Sequence, residues 1–132
     1  MDLEILKIAS DTKNHKVLKE SSHFAKFKNP LCGDEMNVSL MIKGEKITDF
    51  AYECKSCIYC QASASILSKK SINKSIKKMR EIIAIANNFF ENASEKFPNE
   101  WKILEKLFNK KNISRKECLL LPFKTLAKAL KS

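Results

Sequence analysis

The sequence predicts an α+β fold: a small antiparallel sheet of about three strands packed against several helices. Three observations predict it. Val38, Leu40 and Ile42 alternate with other residues in the two-residue period of a half-buried strand. Ile76, Met79, Ile82, Ile83, Ala86 and Phe90 recur at helical spacing. The chain of 132 residues holds only two glycines, so helix is abundant and positive-φ positions fall mostly to asparagine.

The elements follow in order. Leu3, Ile5, Leu6 and Ile8 form a broad apolar stripe, which predicts a short N-terminal helix over 3–9. After a polar stretch with Asn14 and His15, "HFAKFK" at 23–28 predicts a first strand. The segments 36–44 and 45–53 predict two antiparallel strands joined by a hairpin turn at Gly44-Glu45. "YCQASASILSKKSI" turns from small residues to helically spaced apolar ones, so a helix begins near Cys57 and packs closely on the sheet. Asn73 stands where a left-handed cap ends that helix, and the Ile76–Phe90 stripe starts the next. Pro98 opens a further helix with Trp101, Leu104, Leu107 and Phe108 on one side and Trp101 as a core anchor. The last helix takes Ser114 as its N-cap, is interrupted at Pro122, and carries Leu126, Ala127 and Leu130 inward.

At this length the chain is expected to form one domain over residues 1–132. Its net charge of +10 comes from 25 cationic residues, nearly all lysine and spread along the chain, which describes a solvated basic surface. Such a surface attracts nucleic acid, acidic lipid or an acidic protein alike. The interleaved arginine and aromatic residues of a nucleic-acid interface are missing, so that function is disfavoured. The N-terminus lacks a signal-type apolar core and no run approaches a membrane span, so a cytoplasmic protein without membrane attachment is expected. Five cysteines, an odd number, then argue for thiol or metal chemistry over a disulfide framework.

"NPLCGD" sets the thiol of Cys32 and the carboxylate of Asp34 two residues apart beside a glycine, so both can face one ion or simply form a turn. Cys54, Cys57 and Cys60 stand at three-residue spacing, as in a ferredoxin-type cluster motif. The fourth nearby cysteine of such a motif is absent, and no second copy exists. By themselves Cys54 and Cys60 read better as buried or bystander thiols than as ligands. Cys118, alone in "RKECLLLP", reads as core unless the fold carries it to the others.

Together, "NPLCGD", a cysteine followed after four residues by "ASAS", and "RKECLLLPFKTLAKAL" resemble the IscU/SufU family of iron–sulfur cluster assembly proteins, whose fold also forms the N-terminal part of NifU. The resemblance runs from Asn29 to the C-terminus, with "TKNHKVL" at 12–18 as an eroded copy of the family's "HYxNPRNxGxL". It implies that Cys57, five residues before Ala62, is the family's second cysteine, and that Cys32, Asp34, Cys57 and Cys118 form the metal-ligand set. About sixty residues separate Cys57 from Cys118, and Glu117 stands where IscU has histidine; both features resemble the SufU branch. That branch implies zinc, a cysteine desulfurase as partner, Cys32 as persulfide acceptor, and downstream sulfur or iron–sulfur acceptor proteins. A thiolate released from zinc is a nucleophile needing no additional base.

The chain departs from the family where Cys54 and Ser56 replace the glycines before the second cysteine, and where Asn73 replaces a glycine. Beside zinc-dependent sulfur transfer stand three other readings. One is an IscU-like scaffold carrying a transient 2Fe–2S cluster. The second is a structural-zinc module that binds nucleic acid, and the third a family member that only docks to a partner.

Overall fold

The computed structural model describes residues 3–31, 33–91 and 96–131. Helix α1 (Leu3–Ala9) leads into strands β1 (His23–Lys28), β2 (Glu35–Lys43) and β3 (Lys46–Lys55). Helices α2 (Ile58–Ser71) and α3 (Ile76–Asn88) follow, and α4 (Lys116–Leu130) ends the described chain. Between α3 and α4 lie two 3-10 segments, Asn99–Lys106 and Lys110–Arg115.

The strands form an antiparallel meander in the order β1-β2-β3, the expected sheet. At the β2–β3 hairpin both Gly44 (φ 57°) and Glu45 (φ 63°) take positive φ, the signature of a two-residue type I′ turn matched to strand twist. Thr48 marks a bulge near this turn, and its hydroxyl donates to the Met41 carbonyl at 3.1 Å. Period-two alternation sends Val38, Leu40, Phe50 and Tyr52 into the core and leaves Asn37 and Glu53 on the other face.

Helix α2 lies inside the fold and is buried on nearly all sides. Small residues let it approach α1, α4 and β3, and each buried hydroxyl finds a carbonyl. Ser63 donates to Leu119 (2.8 Å), Ser65 to Asp11 (2.9 Å), Ser68 to Ser65 (3.0 Å) and Ser71 to Leu67 (2.6 Å). Asn73, at φ 72°, makes the predicted left-handed stop, and the Ser75 hydroxyl caps α3 by accepting from the Lys78 N–H.

The structure refines four of these readings. Leu3 and Leu6 are exposed (77% and 43%), since α1 is short and buries only Ile5 and Ala9, with Ile8 partly covered. The helix expected after Pro98 is present and takes the 3-10 form. Its anchors Trp101, Leu104 and Leu107 recur every third residue, the repeat that aligns side chains on a three-residue turn, and all three are buried. Arg115, not Ser114, is the N-cap of α4, because the preceding 3-10 segment takes up Ser114. Finally, α4 runs through Pro122 unbroken. Pro122 gives no N–H to the Cys118 carbonyl four residues back, at a cost of about 3 kcal/mol. Full burial of Leu119, Leu121, Phe123 and Leu126 on both sides of it offsets that cost. Phe90 lies just past the end of α3 and is partly buried, stacking on Phe108 at 5.6 Å.

Candidate metal centre

One end of the sheet gathers the β1–β2 loop, the end of β3 and the starts of α2 and α4. The loop is shaped by Asn29, which is 2% exposed. Its side-chain oxygen accepts from the Leu31 N–H at 2.8 Å, an Asx turn. Its backbone N–H donates to the Asp34 carbonyl (2.8 Å), and its carbonyl accepts from the Gly33 N–H (2.9 Å). Gly33 turns the chain at φ 76°, a conformation that side chains resist. The Asn29 amide then donates to the Glu117 carbonyl at 3.4 Å, tying the loop to α4 beside Cys118.

Cys57 is the N-cap of α2, as expected, at the end of a helix that favours anions. Two contacts hold this end against α4. The Arg115 guanidinium lies 5.3 Å from the centre of the Tyr59 ring, and Ser63 donates to the Leu119 carbonyl.

The result is a cluster in which the ligand atoms of Asp34, Cys57 and Cys118 all lie within 4.8 Å of one another. Asp34 and Cys57 are half-buried and Cys118 is buried. Asp34 Oδ2 is buried without a hydrogen-bond partner among the described residues. A carboxylate oxygen withdrawn from water in that way is costly unless a cation meets it. Two thiols and one carboxylate at this separation fit the mixed sulfur and oxygen donors of tetrahedral zinc, with one position left for a fourth ligand. Of the four ligands expected from the sequence, three converge; the fourth, Cys32, lies outside the described residues.

The other candidates fall elsewhere. Glu117 turns its carboxylate to Lys124 at 3.2 Å and is not in the cluster. Cys54 and Cys60 are not in it either. Burial pushes both thiols up, Cys60 well above the ordinary thiol value. His15, from the eroded motif, crosses Tyr52 edge-on at 5.1 Å, and its Nε2 accepts from the Cys54 N–H at 3.4 Å.

Sequence reasoning missed Asn29, Tyr59 and Arg115 as the groups that draw the cluster together. The Asn-Pro dipeptide does signal an Asx turn, but its long-range bond to Glu117 has no sequence signature. The Tyr59–Arg115 contact joins elements that only the tertiary fold brings together.

Comparison with known proteins places the fold. The family model for the NifU-like N-terminal domain matches residues 2–108. The iron–sulfur cluster assembly scaffold protein IscU of Thermotoga maritima is 29% identical over 130 residues, covering 96% of this chain and 89% of that protein. Among solved structures, the N-terminal part of a NifU-like protein from Brucella abortus superposes with a TM-score of 0.89 at 23% identity, covering 98% of this chain and 91% of that one. FiSufU of Fervidobacterium islandicum, assigned as an iron–sulfur cluster assembly scaffold for the SUF system, gives a TM-score of 0.87 at 27% identity, covering 98% and 96%.

Proposed function

Since the chain belongs to the family of NifU-like N-terminal domains, we propose that it serves iron–sulfur cluster assembly, as a zinc-dependent acceptor of persulfide sulfur from a cysteine desulfurase. The observation that carries this reading is the convergence of the Asp34, Cys57 and Cys118 ligand atoms, with Asp34 Oδ2 buried and without a hydrogen-bond partner among the described residues. Cys32 is the fourth ligand and the acceptor. Bound zinc supplies charge that keeps its thiol ligands deprotonated. The Cys32 thiolate attacks the terminal sulfur of the desulfurase persulfide. A new S–S bond forms at Cys32, the old one breaks, and the desulfurase thiolate leaves. Asp34, Cys57 and Cys118 hold the site meanwhile, and the sulfur passes to a downstream acceptor protein.

The SufU-like form of the reading draws support from two features. Glu117 is committed to Lys124 instead of joining the donors, and the 3-10 segments lengthen the stretch between Cys57 and Cys118. A second reading, a scaffold on which a 2Fe–2S cluster is built over the same donors, is favoured by what the Thermotoga and Fervidobacterium relatives are named for.

Metal analysis of anaerobically purified protein, beside a desulfurase activation assay, tests the proposal. It expects close to stoichiometric zinc, and sulfur uptake that Cys32→Ala abolishes while keeping the fold. Asp34→Asn and Cys118→Ser should lose most of the zinc. Bound iron and sulfide without desulfurase stimulation would replace this reading with the scaffold.

A further inference from the structure

Away from the metal centre, α1, the C-terminal half of α2 and the first 3-10 segment enclose a groove of about 590 Å3. Its floor is aliphatic: Ile8 is partly covered, Ile66 is buried at 2% exposure, and Ile103 is 37% exposed. Its rim is basic, with Lys7, Lys69, Lys70 and Lys106 set against the carboxylates of Glu4 and Asp11. Asp11 pairs with Lys69 at 2.6 Å and Glu4 with Lys106, so both acids are committed. The exposed Lys7 and Lys70 are left with no ion-pair partner among the described residues. Leu3, 77% exposed, stands one turn before Lys7 on the same side of α1 and extends the apolar surface beside the groove.

We propose that this groove docks an acidic amphipathic helix of a partner protein, with its apolar side chains on the isoleucines and its carboxylates on the lysine rim. No strand lines the groove, so an extended segment would find no edge to pair with. A recessed apolar floor receives protruding side chains, whereas a bilayer is met by apolar groups that themselves protrude. A nucleic-acid backbone would use the lysines and leave the isoleucines uncovered. A second copy of this chain brings the same net charge of +10 and is repelled. Ile66 and Lys70 lie roughly 14–20 Å along α2 from Cys57, so a helix seated here leaves the metal centre open. The first 3-10 segment gains a role of its own, since Ile103 and Lys106 make one wall. The inference goes beyond the sulfur-accepting reading and does not rest on it.

The test uses the full chain and a fluorescein-labelled helical peptide with leucine at positions i, i+3, i+4 and i+7 and glutamate elsewhere, read by fluorescence anisotropy. Two comparison peptides replace the leucines by serine or the glutamates by lysine. The wild type should bind the first peptide about tenfold more tightly than either comparison. Lys7→Glu with Lys70→Glu should weaken that binding about tenfold, and Ile103→Asp by a similar factor. Lys43→Glu with Lys111→Glu makes the same change of charge at exposed positions outside the groove and should leave the affinity within about twofold. The lysine variants, at exposed positions, keep the test readable if Ile103→Asp fails to fold. Equal affinity for the serine peptide, or equal weakening by the two lysine pairs, would overturn the proposal and assign binding to net charge alone. Capture by vesicles of phosphatidylcholine and phosphatidylglycerol, lost in the Lys7 and Lys70 variant, with no peptide binding, would replace it with a lipid surface.

Discussion

Replacing Asn29 with alanine tests whether the metal centre is positioned by the bracket around the β1–β2 loop. The change removes two side-chain hydrogen bonds, one at 2.8 Å from the Leu31 N–H and one at 3.4 Å to the Glu117 carbonyl. A good neutral bond is worth about 1 kcal/mol net and the long one nearer ~0.5, so the loss is about 1.5 kcal/mol. If that energy holds Asp34 in place against α4, it transfers to metal binding as roughly a tenfold weaker zinc affinity. That lies within the range seen when partners behind metal ligands are removed. Competition against a chromophoric chelator measures the affinity, and urea denaturation of the metal-free protein measures the stability. A variant that loses stability but binds zinc as tightly as the wild type would refute the positioning role, leaving Asn29 as a fold residue only.

Other substitutions test other parts of the structure. Gly33→Ala should cost about 1–2 kcal/mol in denaturation, from backbone strain alone, because φ is 76° and, its chain neighbours aside, no atom of the described residues lies within 4 Å of the added Cβ. A neutral result would mean that the turn relaxes. Trp101→Ala should lose about 3–5 kcal/mol, while Trp101→Phe should lose less than half as much, because it also removes a buried indole N–H with no partner among the described residues. Equal losses would mean that the N–H is satisfied. Tyr52 is buried, and burial raises its hydroxyl above the ordinary 10.0. Above pH 10 the unfolded chain therefore releases a proton that the folded chain keeps, and stability falls as pH rises. Tyr52→Phe should flatten that alkaline slope in pH-dependent thermal melts; an unchanged slope would assign it to other groups.

Local patterns were legible where local energetics decides the structure. The hairpin was readable because strand alternation and the Gly44-Glu45 turn agree, and α3 because its apolar stripe needs no knowledge of its neighbours. Cys57 could be placed at the start of α2 because the small residues after it mark a helix that must pack closely. The helix after Pro98 was legible but its 3-10 form was not, since a few turns of either helix bury nearly the same residues, Trp101, Leu104 and Leu107. Pro122 was misread as a break because a proline's local cost is visible in sequence and the burial that offsets it is not. At the metal centre the residue types were legible. Their convergence was legible only through the family resemblance, since spacing alone does not show Asn29 reaching the Glu117 carbonyl or Arg115 lying over Tyr59.

The dispersal of the donors also bears on how the protein is made. Asp34, Cys57 and Cys118 arise in three stretches of the chain, and the last lies in the final helix. During synthesis the hairpin and α2 can form well before α4 leaves the ribosome, and until then the nascent chain offers only part of the donor set. Closing so long a loop is entropically costly and comes late in folding. On the proposed metal-binding reading, capture by the dispersed set would require α4 to be docked, and a fragment ending before residue 118 should bind zinc more weakly than the longer chain.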